Sequence, residues 1–222
     1  MNPLFKDVQA IYFDAGSTLL EEMAIYEDRM RRTILANDLS LSPDTFETLL
    51  YEGAARKANP YQYACEKLNI KKRVDWDFGK ESLDPEALPL LKALQPHYAL
   101  AMIANQPPHF EERLRKLGIR PFFRFVLGSQ DVGFVKPDQR LYLLAIEKMG
   151  IPAQNSLMIG DRLENDIRPA KALGFHTIWL RAGVSKAQKI ECREEEPDQS
   201  VSSLKEIEPL LLERGAIIGK HL

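Results

Sequence analysis

Five short apolar runs, separated by stretches with helical spacing, set the rhythm of the chain. The first, Ala10-Ile11-Tyr12-Phe13, ends abruptly at Asp14 and is followed by Gly16-Ser17-Thr18. That pattern predicts a buried strand entering a tight polar loop. Four more strands are expected at Tyr98–Ala104, Phe122–Leu127, Ser156–Ile159 and Phe175–Leu180. Between them lie helical patterns. Asp84-Pro85-Glu86 opens one through Leu94, and Pro107 opens another through Leu117. The spacing predicts further helices over Asp138–Met149 and Leu163–Leu173, closed by Gly150 and Gly174. Strands alternating with helices imply an α/β fold, a Rossmann-like parallel sheet with helices on both faces and right-handed crossovers. Toward the end, Glu191–Ser200 reads as loop, Val201 as the start of an edge strand and Leu204–Leu212 as a last helix.

One stretch breaks the alternation. From Glu21 to about Asp84 no strand pattern is present. Met23, Tyr26, Met30 and Ile34 recur at helical spacing, Ser42-Pro43 opens a second helix to Lys57, and Pro60 a third to Leu68. The organisation expected is a core of residues 1–19 and 86–222 interrupted by a small all-α insertion, residues 20–85.

With 222 residues, this is one large domain or an ordinary core plus a small insertion. Basic and acidic residues number 30 and 32, which excludes a general attraction to nucleic acid or an anionic membrane surface. The densest basic cluster, Lys71-Lys72-Arg73, reads as a solvated turn. No stretch reaches the ~18 continuous apolar residues of a membrane span. The opening MNPLFKDVQA carries an acid and no long apolar run, unlike a signal peptide. Cys65 and Cys192, far apart and without CxxC spacing, suit free thiols in a reducing compartment, so a cytoplasmic protein is expected.

Candidate chemistry gathers where the strands end. Asp14, Asn105, Lys136 and Asp161 all stand at or just beyond strand carboxyl ends, the edge at which open α/β sheets bind ligands. Asp161 opens GDRLEND, which adds Glu164 and Asp166, and Lys136 lies in the loop GFVKPD. Carboxylates of this kind hold Mg²⁺, a hard cation that prefers oxygen. A lysine beside the metal neutralises a phosphoryl group, which the remaining carboxylate attacks. Plainer readings exist for each residue. Asp14, Asp161 and Asp166 suit helix N-termini, and Asn105 suits a loop tie. Glu164 and the face bearing Arg29, Arg31 and Arg32 suit solvent, although these arginines could reach a substrate. His109, at a helix start, is structural or solvated unless it replaces a missing proton donor.

Taken together, the strand-Asp loop, GFVKPDQRLYLLAIEKMGI and SLMIGDRLENDIRPAKALGFHTIWL resemble the motifs of the haloacid dehalogenase superfamily of aspartyl-nucleophile hydrolases. The resemblance spans essentially the whole chain, and the helical insertion is similar to the family's C1 cap. It implies Asp14 as nucleophile and Mg²⁺ ligand, with the Gly16 carbonyl and Asp161 as further ligands. Asp166 would support or join them, and Lys136 would bridge Asp14 and the phosphoryl group. Two departures stand out. The second Asp usual two residues after the nucleophile is Gly16, which removes a general acid–base worth ~10²–10⁴-fold. The Ser or Thr usual before Asn105 is Ala104, leaving Asn105 and backbone amides for the phosphoryl oxygens.

The expectation is a Mg²⁺-dependent phosphatase for a small phosphorylated metabolite, slow on activated esters and nearly inert on alkyl phosphates. Its rivals are a metal-independent dehalogenase-type C–X hydrolase, against which Asp161 argues, and a degenerate binding protein without turnover. No sequence pattern sets an oligomeric state.

Overall fold

The computed structural model describes residues 2–212. Its centre is a six-stranded, all-parallel sheet built from β1 (Ala10–Phe13), β4 (Ala99–Ala104), β5 (Phe125–Gly128), β6 (Ser156–Gly160), β7 (His176–Leu180) and β8 (Gln199–Val201). The spatial order is β5-β4-β1-β6-β7-β8. β1 lies between β4 and β6, covered on both faces, which is why its run is continuously apolar.

Side chains alternate along β1 between two cores. Ile11 and Phe13 join Met102, Ile159 and the buried leucines of α4 (Ala87–Leu94), with Phe110 and Leu114 of α5 (Phe110–Lys116) and Leu211 of α9 (Glu208–Leu211). Ala10 and Tyr12 join Ile103 and Met158, against Leu141, Tyr142 and Ala145 of α7 (Gln139–Met149) and Ala170 of α8 (Arg168–Ala172). Helices therefore cover both faces, as the alternation predicted. Among the described residues no helix is long and apolar enough to cross a membrane.

The interrupted stretch folds as α1 (Met23–Ala36), α2 (Pro43–Ala55) and α3 (Pro60–Lys67) around Met30, Phe46, Leu50, Tyr61 and Cys65. Ser42 and Asn59 cap the second and third by accepting from the amides of Thr45 and Gln62. It is not all-helical. β2 (Leu20–Glu21) and β3 (Ser82–Leu83) pair antiparallel at its base, Leu20 opposite Leu83. Two-residue strands 63 positions apart show no periodicity that a sequence window registers.

Proline chemistry moves several other boundaries. α5 starts at Phe110 because Pro107 precedes another proline and is kept out of the helical region, and His109 sits at φ 64°. The expected strand at Phe122 begins at Phe125, after a 3₁₀ turn Arg120–Phe122 containing Pro121. The helix expected over Leu163–Leu173 is a π-helical turn, Leu163–Ile167, followed by α8. Pro169 has no amide to offer the Asn165 carbonyl, which accepts from the Tyr142 hydroxyl instead. The loop before β8 includes a 3₁₀ turn, Arg193–Glu195, and the last helix is broken into Leu204–Glu206 and α9.

Candidate active site

β1 delivers Asp14 to the sheet's carboxyl edge, where its amide donates to the Ile159 carbonyl at 2.9 Å. Lys136 reaches the same point from the loop between α6 (Ser129–Val132) and α7. Its Nζ donates to Asp14 Oδ1, and to Asp166 Oδ1 at 2.5 Å. The Lys136 backbone is clamped from both sides by one residue. Asn105 Oδ1 accepts from its amide at 2.7 Å, and Asn105 Nδ2 donates to its carbonyl at 3.0 Å. Both ends of the Asn105 amide are thereby committed to placing the lysine.

Asp161 and Asp166 stand on either side of the turn after β6. Asp166 is fully buried, and its Oδ2 accepts from the Arg162 amide at 3.0 Å. A Cβ on Gly160 would lie 2.4 Å from Asp166 Cγ, so only glycine lets this carboxylate fold beneath the strand end. Trp179 Nε1 donates to the Asp161 carbonyl and Gln188 accepts from the Leu163 amide, each at 2.8 Å. Neighbouring strands and loops thus hold the turn in shape.

The result is a compact acidic cluster. Oxygens of Asp14, Asp161 and Asp166 lie within 4.8 Å of one another, and all three residues are buried. One ammonium, Lys136, sits among three carboxylates. Burial raises the Asp14 pKa, an effect only partly offset by Lys136, and Asp166 raises it further. Asp161 is pushed well above the usual carboxylate range by burial, then by Asp14, Asp166 and Glu22. Burial alone would lower the Lys136 pKa, but the two aspartates more than offset this and hold it above its ordinary value. Hard oxygen donors carrying surplus negative charge away from water suit a divalent cation such as Mg²⁺.

The surrounding cavity is also lined by Gly16, Ser17, Glu22 and Tyr26 from the loop after β1 and the start of α1, and by Ser185. No sequence pattern singles out Glu22, and Ser17 stands out there only as part of the polar loop after the first strand. Burial raises the Glu22 carboxyl to about 7 against the opposing hydrogen bond from Ser17. Gly16 itself is not in the left-handed region, whereas Ser17 is, at φ 53°.

Other candidates fall away from the cavity. Ala104 is fully buried and does not line it. The His109 side chain is 77% exposed, beside Glu112. Glu164, expected in solvent, is paired with Arg162 and accepts from Gln188 Nε2 at 2.8 Å. Arg29 is not solvated either. Its guanidinium lies 3.4 Å from the Tyr61 ring centroid and its Nε donates to the Val74 carbonyl. Arg32 is paired with Asp28, and Arg31 is exposed. Cys65 is buried, Cys192 exposed, and both are free.

A family model for haloacid dehalogenase-like hydrolases matches residues 8–174. The chain belongs to this family. Among curated relatives of this hydrolase, the phosphoglycolate phosphatase of Escherichia coli O157:H7 is 34% identical over 93% of this chain and 94% of its own. The glyceraldehyde 3-phosphate phosphatase of Methanocaldococcus jannaschii is 35% identical over 43% of this chain, a match spanning only 41% of that relative's length. The HAD-hydrolase YfnB of Bacillus subtilis, solved bound to magnesium, shares the fold at TM-score 0.67 and 22% identity, over 92% of this chain and 98% of its own.

Proposed function

We propose that this hydrolase is a Mg²⁺-dependent phosphatase acting on a small phosphorylated metabolite through an aspartyl-phosphate. The observation that carries the reading is Asp14. It is a carboxylate at the end of the central strand, ion-paired to Lys136 and clustered with Asp161 and Asp166. Relatives named as phosphatases support it.

Asp14 attacks phosphorus, the bond to the leaving oxygen breaks, and the phosphoryl group is carried on Asp14. Water then attacks phosphorus, the bond to Asp14 breaks, and inorganic phosphate leaves. Lys136 balances the charge on Asp14 and on the phosphoryl oxygens throughout, held in place by Asn105. Asp14, Asp161 and the Gly16 carbonyl, with Asp166 supporting, would hold Mg²⁺. When bound, that ion neutralises phosphoryl charge. Residues 20–85 act as the cap over the site, contributing Tyr26 and Pro60 to the cavity wall.

The test is a panel of phosphate esters and anhydrides assayed with Mg²⁺ and with chelator. Turnover is expected only with the metal. Asp14→Asn is expected to abolish it while leaving the thermal melt cooperative, because an amide is a poor nucleophile. Wild-type turnover in Asp14→Asn removes Asp14 from the mechanism.

A further inference from the structure

Residue 16 brings no side chain to the cavity, yet the space beside it is filled. A Cβ on Gly16 would stand 2.4 Å from Glu22 Oε1, 2.7 Å from Glu22 Cδ and 3.0 Å from Oε2. The carboxyl group of Glu22 therefore occupies the place where a side chain on residue 16 would begin. It arrives from the opposite direction, at the junction of β2 and α1.

Two local features hold it there. Glu22 is the N-cap residue of α1, yet its side chain makes no capping bond. Glu21 takes the neighbouring amide instead, accepting from Met23 N at 2.7 Å. Glu22 is thus released from the usual duty of its position, and Ser17 Oγ donates to its Oε2 at 2.8 Å. Among the described residues Oε1 has no hydrogen-bond donor, and the side chain forms part of the wall shared with Asp14 and Lys136.

We propose that Glu22 is the general acid–base of this hydrolase, supplying from the start of the insertion the carboxyl group that residue 16 lacks. The inference rests on the phosphatase reading above. As Asp14 bonds to phosphorus and the P–O bond to the leaving group breaks, the Glu22 carboxylic acid gives its proton to the departing oxygen. The carboxylate left behind takes a proton from the water that attacks phosphorus. When the Asp14–phosphorus bond breaks, Glu22 is again the acid and phosphate is released. This reverses what Gly16 alone implied: the site has its acid, and alkyl phosphates are turned over.

The test is a series of aryl phosphates from nitrophenyl to unsubstituted phenyl, which varies leaving-group basicity at nearly constant shape. The wild type is expected to give a shallow dependence. Glu22→Gln keeps an oxygen that accepts from Ser17 but has no proton to give. Its rate on phenyl phosphate is expected to fall by roughly 10²–10⁴-fold, with a much smaller fall on nitrophenyl phosphate. A merely structural role would lower both alike. Gly16→Asp alone is expected to lose activity, since its Cβ meets Glu22. Gly16→Asp/Glu22→Ala is expected to recover the shallow dependence, and it provides a second readout should either single variant fold poorly.

A Glu22→Gln series parallel to wild type, or a double variant no better than Glu22→Ala, overturns the role of Glu22 while leaving the phosphatase intact. Absence of phosphatase turnover in the wild type, with Asp14→Asn indistinguishable from it, overturns both.

Discussion

The hydrogen atom that glycine carries at residue 160 decides where Asp166 lies. Methyl addition there would place carbon 2.5 Å or less from both Cβ and Cγ of Asp166. That carboxylate cannot swing aside, because Lys136 and the Arg162 amide hold its two oxygens. Gly160→Ala is therefore expected to cost about 1–3 kcal/mol in chemical denaturation, in the range of overpacked cores. It should also weaken Mg²⁺-dependent stabilisation, since the cluster is displaced with Asp166. Full stability and an unchanged metal response would show that the turn relaxes freely. Residue 16 teaches the complementary lesson. Its glycine reads in sequence as a deletion of chemistry, whereas in space it is the clearance that admits Glu22.

At the level of elements, the insertion is tied to the core by ion pairs as well as by β2 and β3. Lys57, beyond the end of α2, donates to Glu195 at 2.6 Å and to Glu191 at 2.7 Å. The Glu195 side chain is 3% exposed. Burial would raise its pKa, but Lys57 and the Glu191 amide more than offset this and hold it below the usual 4.5. A depressed carboxyl stabilises the fold above about pH 4.5, and that contribution disappears as pH falls through its folded value. Lys57→Met is expected to cost about 1–3 kcal/mol at neutral pH, the penalty for stranding a buried polar group. The penalty should shrink below pH 4.5, where the stranded carboxyl takes up a proton. Urea melts at pH 7 and pH 4 provide the measurement. Equal penalties at both would exclude the ion pair as the cause.

For the whole molecule, folding brings three buried acids to one lysine at the carboxyl edge of the sheet, where burial and their mutual repulsion oppose their ionisation unless a divalent cation joins them. Mg²⁺ is expected to raise the melting temperature, by the equivalent of about 2.7 kcal/mol at one hundred times its dissociation constant. Asp161→Asn removes one of the charges. In chelator it is expected to melt at or above the wild-type temperature, and on adding Mg²⁺ to show little further gain. A wild-type response to Mg²⁺ in that variant would remove Asp161 from the ligand set. Activity and metal-free stability are expected to move in opposite directions in it, since the site is built from charges that the empty fold tolerates at a cost.

Sequence alone was enough for the parallel sheet, its helices on both faces, and the residues at its carboxyl edge. Those follow from short-range periodicity and from where apolar runs stop, both readable in a window of a few residues. Asp14, Lys136, Asp161 and Asp166 were legible for that reason, each standing beside a strand end or in a distinctive loop. The remaining features depend on long-range placement. The pairing of Leu20 with Leu83, the use of Asn105 to clamp Lys136, and the π turn relieved by Tyr142 all join residues far apart in the chain. Glu22 is the sharpest case. It stands six positions after Gly16, and nothing in that spacing reveals that the backbone turns the carboxyl back over the glycine. Side-chain chemistry is written in the sequence, but which side chain fills a given space is settled only when the loop closes around it.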